Sequence, residues 1–167
     1  IEDEDEINLE GLEKKQKSNF DPLLVEKCHE NMPPEIREYL HSRGITDPVI
    51  NTFKIGYGKF YGKNWITIPI KDENGNYIFL KLRRDPKEGD EKMTYPKNIE
   101  AQIYDWETLQ NTSDKIVICE GELDRLLLIS KGVTAVTSTH GANTFKKQWT
   151  DSFAHIKVIY VCFDNDT

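Results

Sequence analysis

The chain has 167 residues, 37% of them hydrophobic and 31% charged, with a formal net charge of -7. That length suits one ordinary domain or two small subdomains sharing a core, and no apolar run approaches the ~20 residues of a membrane span, so no membrane partner is expected. Three scattered cysteines (Cys28, Cys119, Cys162) form no CxxC, and the N-terminus lacks the pattern of a secretory leader. Together these point to a reducing compartment, and the cytoplasm is the expected location. In chain order, residues 1–20 read as an acidic linker or disordered arm: residues 1–17 hold seven acids against three lysines. Asp21-Pro22 opens a helical pattern with apolar Leu23, Leu24 and Cys28. "PPEIREYLHSRG" reads as a second helix, started by Pro33-Pro34 and stopped by Gly44, and "TDPVINTF" as a short third, capped by Thr46 or Asp47.

After Gly56 the period changes. "WITIPI" and "YIFLKLRR" alternate as strands, and "KDENGNY" between them carries the Asn74-Gly75 turn signal, so a β-hairpin is expected. Residues 54–97 hold ten Lys or Arg against six acids, so the acidic arm masks a basic, aromatic-rich middle segment. Phe53, Trp65 and Phe79 are expected in a core. Alternation along the second strand should leave at least one of Arg83 and Arg84 exposed. "DPKEGDEK" is a polar loop.

From Asp114 the pattern becomes βαβαβ: strand "KIVIC", helix "ELDRLLLISK", strand "VTAVTS", loop "THGAN", helix "TFKKQWTDSFA" and strand "KVIYVCF". Continuous apolar strands alternating with helices predict a parallel sheet covered on both faces. The expected fold class is α/β: an α+β N-terminal subdomain (residues 21–110) followed by a Rossmann-like parallel sheet (111–167). Ligands in such sheets bind beyond the carboxyl ends of the strands. That rule points to Glu120, to "STHGAN" and to Asp164 and Asp166. Asp124 lies one helical turn past Glu120 and can face the same spot. Four carboxylates gathered without matching bases repel one another, and a hard divalent cation such as Mg²⁺ resolves the repulsion. Each motif alone has an ordinary explanation, the acid at a helix start and Asp-Asn-Asp in a turn; their convergence at one sheet edge favours a metal site. No GxGxxG follows a strand and no GxxxxGK[ST] occurs, which excludes a dinucleotide fold and a P-loop NTPase.

"IVICEGELDRLLLISKG" followed by "VIYVCFDNDT" resembles the TOPRIM fold of topoisomerases, primases and related nucleases, with its Glu-Gly pair after one strand and its DxD after a later one. The "EGE-D" form is similar to the phage, Twinkle-like primase-helicase branch. Upstream, "REYLHSRGITDPVINTFKIGYG", "ITIPIKDENGNYIFLKLRR", "EKMTYPKN" and "IYDWETL" resemble, in order, the basic subdomain of DnaG-type primase cores. The resemblance implies a DNA primase catalytic core that makes short RNA primers on single-stranded DNA from ribonucleotides, with a replicative helicase, fused or separate, as partner. It implies Mg²⁺ or Mn²⁺ held by Glu120, Asp164, Asp166 and Asp124, with Glu120 and Asp164 catalytic. Lys81, Arg83, Arg84, Lys92 and Lys97 would contact nucleotide or template phosphates. Because the family continues past the DxD, a TOPRIM unit incomplete at its C-terminal end is also implied. Two alternatives stay open: a non-catalytic single-strand-binding TOPRIM module of a primase-helicase, and a TOPRIM nuclease.

Overall fold

The computed structural model describes residues 20–89 and 93–165. Three helices come first: α1 (Leu23–Glu30), α2 (Pro34–Ser42) and α3 (Asp47–Thr52). Proline within the first turn of α2 and α3 suits the helix start, where its missing N–H leaves no bond unmade. Gly44 stops α2 with φ +83, and the Gly44 and Ile45 amides bond back to the His41 and Leu40 carbonyls, so the end carbonyls of the helix are satisfied.

An antiparallel sheet follows, in the order β1 (Gly56–Phe60), β2 (Lys63–Lys71), β3 (Tyr77–Arg84) and β4 (Met93–Thr94). The hairpin expected around Asn74-Gly75 joins β2 to β3, with Gly75 at φ +84. Residues 65–70 of β2 are all buried, on both faces of the strand. The alternation in the sequence therefore separates two cores rather than core from solvent. Ile66, Ile68, Ile70 and Phe79 face α2 and α3, while Trp65, Leu80 and Leu82 pack under α1 with Val25 and Cys28.

The second sheet has the order β5 (Ile103–Tyr104), β7 (Ala135–Ser138), β6 (Lys115–Cys119), β8 (Val158–Cys162). β6 is parallel to β7 and β8, as the βαβ pattern predicts, but β5 is antiparallel to β7, so the sheet is mixed. α4 (Trp106–Gln110) precedes β6 and α5 (Glu122–Ser130) joins β6 to β7. Residues 101–109, grouped by the sequence with the first subdomain, bury Ala101, Ile103, Trp106 and Leu109 against Ile116, Ile118 and Val136 of this second sheet. The two halves are fused: Tyr104, Leu123 and Leu126 belong to the same cluster as Ile66 and Leu40.

Two expectations are corrected. "TFKKQWTDSFA" is not one helix but 3-10 turns at Ala142–Thr144 and Lys147–Trp149 followed by α6 (Thr150–Phe153). The break lets Trp149 stand edge-on to Trp106, with ring centroids 6.0 Å apart, and to Phe145 at 5.5 Å. The strand "KVIYVCF" forms as β8, but all five of its residues are exposed rather than covered. Phe53, Trp65 and Phe79 behave as expected: Trp65 and Phe79 are buried, and Phe53 packs against the core.

Candidate active site

β6 is the central strand, flanked by β7 on one side and β8 on the other. The chain leaves β6, returns as β7, then crosses to the opposite edge as β8. The carboxyl end of β6 is thus the point where strand order reverses, the usual place for a ligand in an open α/β sheet. Glu120 is the first residue past β6, and Asp164 lies just past β8, whose Cys162 pairs with Cys119. The Asp164 amide donates to Glu120 Oε2 at 2.8 Å, which ties the two strand ends together.

Asp124 stands in the first turn of α5 and joins them. Its Oδ2 lies 3.0 Å from where a Cβ on Gly121 would stand, so a larger residue there would press on the carboxylate. Desolvation first, then repulsion from Asp164, hold the Asp124 carboxyl above its ordinary range; the charge of Arg43 opposes this and Glu120 adds to it. The three acids therefore feel one another. Among the described residues no group of three or more His, Cys, Asp or Glu is drawn to ligand distance. Asp166, the fourth candidate, lies outside the described residues, as does Lys92. The donors are carboxylate oxygens, the chemistry of a hard cation such as Mg²⁺ or Mn²⁺.

The basic candidates fall in different places. Lys81 is buried: its Nζ donates to Glu122 Oε1 at 2.6 Å and to the Thr139 carbonyl at 2.6 Å. Burial pushes the Glu122 carboxyl up, against the pull of Lys81. Neither Arg83 nor Arg84 is exposed, contrary to expectation. Arg83 is buried with its guanidinium 3.5 Å from the Tyr39 hydroxyl; Arg84 lies 5.3 Å over the Trp65 ring and pairs with Glu88 at 3.5 Å. Lys97 is exposed.

Sequence reasoning missed Glu122, Arg43 and Tyr95 around the site. Glu122 was visible only as an acid in a first turn, and its partner is 41 positions away. Arg43 ends α2, and no local pattern aims it at Asp124. Tyr95 and His140 meet with ring centroids 4.1 Å apart, and Lys81 lies 5.7 Å from the Tyr95 ring. The strand-end rule pointed at the loop holding His140, but the aromatic partner could not be foreseen. Burial and Lys81 hold His140 below the ordinary imidazole range, favouring the neutral ring.

No family model and no curated protein matches the chain. Solved structures do. Primase domains of bacteriophage T7, in an assembly with the lagging-strand DNA polymerase bound to an RNA/DNA hybrid and dTTP, match at 26% identity and a TM-score of 0.62, over 75% of this chain and 65% of that one. The Aquifex aeolicus primase (zinc-binding and RNA polymerase domains) matches at 21% identity and a TM-score of 0.68, over 86% and 46%. A DnaG primase catalytic domain bound to single-stranded DNA matches at 20% and 0.66, over 86% and 61%. Both the DnaG type and the phage T7 type of primase core thus share this fold. The chain spans between 46% and 65% of the length of these three structures. No helix among the described residues is long and apolar enough to cross a membrane.

Proposed function

We propose that the chain is the catalytic core of a DNA primase with a TOPRIM-type acidic centre, making short RNA primers on single-stranded DNA by metal-dependent nucleotidyl transfer. The observation that carries this reading is the Asp164 amide bonded to Glu120 at the switch point of the second sheet, with the charges of both acids felt by Asp124, in a fold shared with primase cores. Glu120, Asp164, Asp166 and Asp124 would hold Mg²⁺ or Mn²⁺. Such a cation, when bound, offsets the charge developing on the attacking and leaving oxygens of phosphoryl transfer. The chain's own part is to fix the carboxylates: the Asp164 amide orients Glu120, and Gly121 seats Asp124. Lys97, with Lys92, Arg83 and Arg84, would meet template or nucleotide phosphates. Lys81 would sit behind them as the counter-ion of Glu122. Ribonucleotides are the substrates and a replicative helicase is the expected partner, in a phage or plasmid replication setting. The test is primer synthesis by the full-length protein on a single-stranded template with labelled ribonucleotides and Mg²⁺ or Mn²⁺. Glu120→Gln and Asp164→Ala should lose it, and full activity in either would refute the assigned roles.

A second reading, a non-catalytic single-strand-binding module, draws support from the internal engagement of Lys81. Salt-dependent DNA binding with no metal-dependent synthesis would establish it. Metal-dependent nicking would instead favour a TOPRIM nuclease.

A further inference from the structure

The turn between β1 and β2 is "KFYGK". Phe60 pairs with Lys63, leaving Tyr61 and Gly62 as a two-residue hairpin loop. Both have positive φ, +54 and +73, the signature of a type I′ turn. That turn favours Asn-Gly, because a side chain with a bulky Cβ substituent is disfavoured at positive φ. Here the strained position carries a tyrosine, and its side chain finds no cover: Tyr61 is 79% exposed. In the longer β2–β3 connection of the same sheet, positive φ falls on Gly75, which has no Cβ to strain. A strained backbone that holds a large aromatic ring in water is a reason to look for a ligand.

The surroundings say which. Residues 54–71 contain four lysines and no acid. Lys59 and Lys63 flank the two aromatics, are exposed, and make no salt bridge to any described residue. Tyr61 and Phe60 also line an apolar groove of about 350 Å³, together with Phe79, Tyr95, Pro96 and Ile99 among others. Tyr95 in turn touches His140 and lies near Lys81, which bonds Glu122, two residues from Glu120. The groove thus shares Tyr95 with the cluster of His140, Lys81 and Glu122 beside the carboxylate edge. Exposed rings with free cations beside them suit a flexible polyanion with stackable faces; an apolar peptide would have no use for the lysines.

We propose that the Tyr61 tip and its groove hold single-stranded nucleic acid, with a base stacked on Tyr61 and the adjacent phosphates met by Lys59 and Lys63. Its direction toward Glu120 rests on the primase reading. The test is fluorescence anisotropy of a labelled oligo(dT) with the 167-residue chain. Tyr61→Asn restores the favoured Asn-Gly turn, so it should melt at the same or a higher temperature than the wild type. It should nevertheless bind about fivefold or more weakly, the loss of one stacked base. Tyr61→Phe keeps the ring and should bind within about twofold of wild type. Replacing Lys59 and Lys63 with alanine together should lower the slope of log affinity against log salt by about 1.4, roughly 0.7 for each single-strand phosphate contact. Wild-type affinity in Tyr61→Asn, or a lower melting temperature pointing to a purely structural tyrosine, overturns this proposal and leaves the primase reading untouched. Absence of salt-dependent oligonucleotide binding by the wild-type chain overturns it together with the template side of that reading. The catalytic side is judged separately, by primer synthesis in Glu120→Gln.

Discussion

Replacing Lys81 with methionine keeps the stem of the side chain and removes its charge. The partner it abandons is Glu122, held 2.6 Å away, with side-chain exposures of 8% for the lysine and 3% for the glutamate. Breaking a buried ion pair from one side costs about 3–5 kcal/mol, because the remaining charge is left without compensation. For a chain of this size that is roughly 6–20 °C of melting temperature. Lys81 also holds the Thr139 carbonyl, so the loop carrying His140 should loosen as well. The double variant Lys81→Met/Glu122→Leu removes both charges and should recover most of the loss, since apolar replacement of a buried pair is often neutral or better. The pH dependence has a definite sign. Burial raises the folded-state affinity of Glu122 for a proton, and without Lys81 it rises further. A carboxyl raised in the folded state contributes stability that is present below the ordinary glutamate range and is lost as pH climbs through the folded value. Urea unfolding should therefore show a larger Lys81→Met deficit at pH 8 than at pH 5. A deficit under about 1 kcal/mol at pH 8, or one that widens on acidification, would refute the reasoning.

Arg125 is fully buried; its Nε donates to the Ala135 carbonyl at 2.8 Å and its Nη2 to Thr108 at 2.9 Å, and its guanidinium lies 4.3 Å over Phe53 and 4.8 Å over Tyr104. Lysine cannot reproduce the planar fork between two rings, so Arg125→Lys should lose about 2–4 kcal/mol in a urea titration; a loss within about 0.5 kcal/mol would show the stacked fork to be dispensable. The three thiols should separate in a timed alkylation read by mass spectrometry. Cys162 is exposed, whereas Cys119 is buried with desolvation pushing its thiol up to about 12 and Cys28 is buried and also raised. Cys162 should be labelled first and Cys119 only on unfolding; early labelling of Cys119 would mean that β6 opens locally.

How much of this was legible depends on the range of the interaction. Asn74-Gly75 announced the hairpin because turn chemistry is local. "KIVIC" and "VTAVTS" announced parallel strands because burial on both faces leaves continuous apolar runs. β5 could not be seen, since two residues carry no period, and it exists because Ile103 and Tyr104 find the open edge of β7. Phe145, Trp149 and Phe153 are spaced like a helical face, yet edge-on packing against Trp106 broke the helix into turns. Strand alternation predicted that at least one of Arg83 and Arg84 is exposed, but both faces of that strand are covered. The Lys81–Glu122 pair was illegible because it forms only when the two sheets dock.

The acids themselves carry the last step. Elsewhere in the described structure, carboxylates that leave open solvent, or that crowd a neighbour, come with a partner. Glu122 has Lys81, Asp105 faces Arg125 at 3.9 Å, and Asp85 accepts the Tyr57 hydroxyl. Asp47, though exposed, has both Arg37 and His41, which hold its carboxyl below the ordinary range. At the strand ends the arrangement inverts. Asp124 is raised first by desolvation and then by Asp164 and Glu120, against Arg43 and a backbone hydrogen bond at Gly121, and Lys81 is already committed to Glu122. The charge left at these strand ends is what the proposed Mg²⁺ or Mn²⁺ would offset.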